Sequence, residues 1–248
     1  MKVFGIGLSR TGTRSLVEAL RLLGFNAVHF PKDLGVFDKG VNAGADLSVA
    51  LNYKELYKKY PDARFILTVR DLNDWLDSCE WQWHKYPPNP SKISGQYCKQ
   101  MYGSVEFNRV RFACTYMRWV EEVAEFFLGN GRMMVLNICN TKNSSDYLWV
   151  ALLRFLDMCD SPAVKKGLPD FPRSGEPSNP LNFLKPLDII RDLESLTKVE
   201  SQYGCTVEDD YSRGMLNGLI VAMRTAKGIG PQSLPGVNDG ILSLDDEN

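Results

Sequence analysis

The sequence predicts a three-layer α/β fold in which a central parallel sheet is flanked by helices. Short apolar runs alternate with amphipathic helical stretches in the order β-α-β-α-β-α, which is the pattern of a parallel sheet with helices on its faces. The clearest of those runs is continuous rather than alternating apolar and polar, as expected for a strand buried on both faces. The first run passes through a glycine-containing loop straight into a helix. A chain of 248 residues suits one main α/β domain, with room for an appendage.

The first strand is Val3-Phe4-Gly5-Ile6. A helix follows over residues 14–23, with Leu16, Val17, Ala19, Leu20 and Leu23 on one face and Gly24 as its stop. Asn26-Ala27-Val28-His29-Phe30 forms a second strand ended by Pro31, and residues 53–60 form a short helix ended by Pro61. Arg64-Phe65-Ile66-Leu67-Thr68-Val69 is the clearest buried strand, followed at once by a helix that Asp71 or Asn73 can cap. Residues 83–103 carry Pro87, Pro88, Pro90 and Gly95 among several aromatics and read as a long loop. A long helix over 107–128 closes at Gly129-Asn130-Gly131. A buried strand over 133–138 and a helix over 147–158 complete the unit. From Ser161-Pro162 onward the texture becomes rich in proline and glycine. The expected division is a core over 1–173 and a partly helical C-terminal extension over 174–248. That extension holds an amphipathic helix near 211–227 and a turn-rich, acidic end.

Charge and cysteine usage narrow the function. Lys and Arg total 29 against 30 Asp and Glu, a net charge of −1, which argues against a globally basic nucleic-acid binder while leaving room for a local basic pocket. Cys79, Cys98, Cys114, Cys139, Cys159 and Cys205 lie far apart, and His29 and His84 are the only histidines. Neither a zinc site nor a disulfide framework is expected, and no metal is assigned. The apolar start of the chain meets Arg10 and Arg14 too soon for a signal segment. The stretches 148–156 and 216–223 are too short to span a bilayer, so a cytoplasmic protein with no membrane partner is expected.

The chemistry-bearing segment is Gly7-Leu8-Ser9-Arg10-Thr11-Gly12-Thr13-Arg14-Ser15, between the first strand and the first helix. Backbone N–H groups and the helix dipole converge there on an anion. Gly7-x4-Gly12 matches the start of a P-loop and implies P-loop NTPase-like topology. A nucleotide kinase, however, needs Lys then Ser or Thr where this chain has Thr13 and Arg14. The segment resembles the 5′-phosphosulfate loop of the sulfotransferases, close to the form G-x-x-R-T-G-T-x-S-L of bacterial-type members. Ser9 stands for a frequent proline and Arg14 for a small hydroxyl residue. The resemblance extends to Arg70 at the end of the clearest strand and Ser78 eight positions later, the places where the family grips its donor's 3′-phosphate. Read alone, Arg70 could pair with a neighbouring aspartate and Ser78 could be an ordinary helix residue.

Ala45-Asp46-Leu47-Ser48, 24 residues before Arg70, resembles the place of the family's catalytic base. On that correspondence Asp46 takes the acceptor's proton; the alternatives are a loop aspartate or helix cap, with His29 as the competing base. The resemblance covers about residues 1–173, through Leu153-Arg154-Phe155-Leu156 and Gly167-Leu168-Pro169-Asp170-Phe171-Pro172-Arg173. Arg224, Lys227 and Gly228 could imitate a late basic loop of the family, and a solvated helix end favoured by its dipole explains Lys227 as well. The resemblance implies transfer of a sulfuryl group from 3′-phosphoadenosine 5′-phosphosulfate to a hydroxyl or amine of a small acceptor, without a metal. Arg10 is implied at the bridging and leaving oxygens, and the amides of Thr11 to Thr13 at the 5′-phosphate. Trp81, Trp83, Tyr86, Tyr97 and Tyr102 offer acceptor-stacking surfaces or simple loop packing. The competing readings are a P-loop nucleotide kinase and a catalytically silent nucleotide-binding protein.

Overall fold

Val3 and Phe4 are neighbours in sequence and both fully buried, yet they belong to different hydrophobic clusters. Successive strand residues point to opposite faces, so both faces of this sheet are covered. In the computed structural model, which describes residues 1–174, the strands are β1 (Val3–Gly5), β2 (Ala27–His29), β3 (Ala43–Ala45), β4 (Arg64–Thr68) and β5 (Met133–Leu136). They pair in parallel in the order β2-β3-β1-β4-β5, with Phe4 opposite Gly44 on one side and Phe65 on the other. The strand that feeds the glycine loop is therefore central.

One face carries α1 (Thr13–Leu22) and α7 (Ser145–Leu156), which bury Leu16, Leu20, Leu148 and Leu152 against Val3, Ala43 and Ile66. The other carries α2 (Leu47–Ala50), α3 (Tyr53–Lys59), α4 (Leu72–Lys85), α5 (Ile93–Tyr102) and α6 (Arg109–Phe126), packed on Phe4, Phe65 and Leu67. A 3-10 turn over Leu34–Asp38 and a short α8 (Pro162–Lys165) complete the described elements. Phe65 is fully buried between its neighbours, and truncation to Ala at such a position costs about 3–5 kcal/mol. Among the described residues no helix is long and apolar enough to cross a membrane.

The segment read from sequence as a loop over 83–103 is mostly helical. α4 runs on to Lys85 and α5 begins at Ile93, so only 86–92, which hold all three prolines, are irregular. Gly95 sits buried inside α5 because its missing side chain makes room for the Asn89 carbonyl. β3 was not anticipated, since Ala-Gly-Ala has neither the length nor the bulk of a strand signal. The strand read over 133–138 ends at Leu136, and the long helix spans Arg109–Phe126. The helix near 211–227 lies outside the described residues.

The order of connection places the site. From β1 the chain runs through α1 to the far edge at β2, returns to β3 beside β1, then crosses to β4 on β1's other flank. The connections diverge at the carboxyl end of β1, which is where open α/β sheets bind ligands.

Candidate active site

A cavity of about 1120 Å³ opens at this carboxyl edge, lined by the loop after β1, the ends of β2, β3 and β4, and the end of α4 through the start of α5. That volume is at the upper end of, or above, the usual small-molecule pocket of roughly 300–1,000 Å³. Ser9, Arg10, Gly12, Thr13, Arg14, Ser15, His29, Asp46 and Arg70 all line it. Thr11 and Ser78 do not.

Two glycines shape the loop. A Cβ on Gly7 would sit 1.9 Å from Thr68 Oγ1, so only glycine lets β1 approach β4 this closely. Gly12 has φ +97° and caps α1 without any side-chain hydrogen bond, leaving the first amides of the helix open to a ligand. Thr11 braces the turn instead. Its Oγ1 donates to Leu8 O at 2.6 Å and meets Thr68 Oγ1 at 2.7 Å, and its N–H points back to Leu8 O. Trp75 Nε1 donates to Ser9 O at 2.8 Å from below.

Three arginines converge on the loop. Arg10 donates from Nε to Ser78 Oγ at 2.9 Å and from a terminal nitrogen to Gln82 Oε1 at 3.2 Å. Ser78 is fully buried, so it reaches the site through Arg10 rather than by its own hydroxyl. Burial pulls Arg10 below arginine's ordinary value, and the like charges of Arg70 and Arg14 push the same way. The guanidinium stays protonated at any physiological pH. An anion placed among the three relieves both the lost hydration and the repulsion. Arg70 is set by its backbone: Tyr116 Oη accepts from Arg70 N at 2.9 Å and donates to Arg70 O at 2.6 Å. No local sequence signal pairs Tyr116, on α6, with Arg70.

Asp46 stands at the end of β3. Its Oδ1 accepts from Ser9 Oγ at 2.5 Å and Leu47 N at 2.8 Å, and its Oδ2 lies 3.1 Å from His29 Nε2. Of the sequence alternatives the helix cap is present, since the Leu47 amide opens α2, and the carboxylate stands beside His29, the competing base. His29 Nε2 is also 3.1 Å from Thr13 Oγ1. Burial, the largest influence, lowers His29 below its ordinary value against the opposing pull of Asp46, so the ring is neutral near pH 7. A neutral ring facing a carboxylate donates through Nε2–H. His84 lies exposed on α4, away from the cavity.

Among the described residues, four non-glycine residues have left-handed φ, and three of them line this cavity: Arg10 (72°), Phe30 (53°) and Asp46 (90°). Each costs about 1–3 kcal/mol of backbone strain, which concentrates at functional sites. Arg173, quoted from the sequence without a role, donates to Ile138 O at 2.8 Å and Asn143 O at 2.6 Å and so holds the loop after β5. Next to it, Ser174 N donates to Ser15 Oγ at 2.9 Å. The end of the described chain is thereby tied to the helix that carries the anion loop.

No curated protein matches the chain. The family model for a sulfotransferase domain matches residues 2–37 and 31–173, which spans the glycine loop, Asp46, Arg70 and the closing Arg173. With more than half of its length matched, the chain belongs to the sulfotransferase family.

Proposed function

We propose that the protein moves a sulfuryl group from 3′-phosphoadenosine 5′-phosphosulfate to a small acceptor, with Asp46 as the base. The observation that carries this reading is the meeting, in one cavity, of an uncapped helix N-terminus, three mutually repelling arginines and a carboxylate. The open amides after Gly12 and the guanidinium of Arg10 suit the 5′-phosphosulfate, and Arg70 suits the 3′-phosphate. When bound, the donor supplies an activated S–O bond whose cleavage releases adenosine 3′,5′-bisphosphate. Arg10, fixed by Ser78 and Gln82, stabilises charge building on the bridging oxygen. Asp46 receives the acceptor's proton on Oδ2, the oxygen not already taken by Ser9 and Leu47. His29 Nε2–H shares that oxygen and orients it. A core over 1–173 with an extension over 174–248 remains part of this proposal.

The experiment is a thermal shift with adenosine 3′,5′-bisphosphate in the absence of magnesium. At about 100 times Kd the ligand stabilises by about 2.7 kcal/mol, several degrees in Tm. Arg70→Ala should lose most of that shift. Stabilisation by ATP with magnesium and none by the bisphosphate would overturn the reading in favour of a nucleotide kinase. Bisphosphate binding with no transfer to any alcohol, phenol or amine would favour a silent binding protein.

A further inference from the structure

The part of the cavity contributed by the end of α4 and the start of α5 has its own chemistry. We infer that it selects an anionic, hydroxylated aromatic acceptor over an amine, an inference that rests on the sulfuryl-transfer reading above. Phe30, Trp81, Trp83, Tyr86, Pro87 and Pro88 line this part. A flat aromatic body buries apolar area against those surfaces. Trp83 is 7% exposed and is held edge-on by Tyr102 and Phe112, so this wall of the cavity is a fixed aromatic surface.

Charge decides between an anion and a cation. Asp46 is the one carboxylate among the described residues that line the cavity, and as the base it is taken up with the acceptor's reacting hydroxyl. An ammonium at the other end of the acceptor therefore finds no counter-charge among these residues. The other charged lining groups are cations. Arg10, Arg14, Arg70 and Arg173 cluster with the anion loop and the segments beside it, where the donor's phosphates use their charge. Lys92 comes from the aromatic segment, at the N-cap of α5, and among the described residues it forms no ion pair. It is exposed, so its contribution is that of a rim charge, which sets preference rather than raw affinity.

The test uses the full chain saturated with adenosine 3′,5′-bisphosphate and three probes that share one ring: 4-hydroxyphenylacetate, 4-methylphenol and tyramine. Binding is read from quenching of tryptophan fluorescence, and transfer is read separately with the intact donor as kcat/KM. The expected order in both is anion, then neutral, then cation, with about a tenfold spread between the ends. Lys92→Glu should shrink or invert that spread by about tenfold, with Lys92→Met between them. Equal or tighter binding of tyramine, absence of anion binding, or a spread unmoved in Lys92→Glu would overturn the inference. Selective anion binding without transfer would leave the acceptor site standing and sink the transfer reading instead.

Discussion

The loop after β1 and the segment joining α4 to α5 line one cavity, yet they are built by opposite means. The loop is set by backbone and short polar side chains: Thr11 bonded to Thr68, Trp75 holding the Ser9 carbonyl, and a glycine where β4 comes too close for a Cβ. The α4–α5 segment is set by rings. Trp83 stands edge-on to Tyr102 and Phe112, Tyr102 stacks on Phe112 at 4.2 Å, and Phe30 meets Tyr97 edge-on. Hydrogen bonds fix positions to fractions of an ångström, as a reaction centre needs. Ring packing fixes volume and shape without fixing a polar atom on a reacting group. The two halves should therefore respond differently to substitution, donor chemistry on one side and acceptor preference on the other.

The largest effect should come where the halves meet. Asp46→Asn keeps the acceptor for Ser9 and Leu47, and asparagine has the shape of aspartate, so the positive-φ backbone here is strained no further than in the wild type. The fold and the bisphosphate shift should survive, while kcat falls by about 10²–10⁴, the usual worth of a positioned base. Single-turnover transfer rates would measure it. A loss of bisphosphate binding in this variant would break the separation of the halves.

This contrast also explains what the sequence could tell. The loop is contiguous, so Gly7, Arg10 and Gly12 announce an anion cradle by spacing alone, and Arg70 follows because a buried strand ends there. Position singles out Ser78, while its contact with Arg10 Nε depends on a side-chain direction that spacing does not encode. β3 escaped notice because three small residues succeed as a strand only when β1 and β2 pair with them on either side. The α4–α5 segment misled for a related reason. Its prolines mark a break of a few residues, while the helices around it are specified by ring packing against α6, a tertiary matter. Tyr116 was invisible because the contact it makes spans 46 positions.

A moderate effect is expected from Tyr116→Phe. The hydroxyl both accepts from and donates to the Arg70 backbone, and its loss leaves two backbone groups without that partner. At about 1–2 kcal/mol this weakens bisphosphate binding by about tenfold through misplacement of Arg70. Acceptor KM should not change, because Tyr116 does not line the cavity. Calorimetric titration of the bisphosphate separates the two. An unchanged Kd would mean that Arg70 is held by something other than this clamp.

The smallest effect concerns His29, which touches the donor loop through Thr13 and the base through Asp46. Burial lowers its pKa, with Asp46 and Glu18 pulling upward and Arg14 and Arg21 pushing downward. As pH falls through 6.5, the ordinary value, the unfolded chain takes up the proton before the folded one does. Stability from the neutral ring is thus present above that pH and is lost as pH falls toward the folded value. Chemical denaturation at pH 8 and pH 5.5 should show a steeper loss for the wild type than for His29→Gln, which has no proton to gain there. The bisphosphate adds a second arm. Negative charge at the loop favours the protonated ring, so the ligand should stabilise the wild type relatively more at pH 5.5 than it stabilises His29→Gln. The comparison with the variant subtracts the ligand's own phosphate titration. If the two proteins show the same pH dependence with and without ligand, His29 is a structural neighbour of Asp46, and the donor and acceptor halves are not coupled through it.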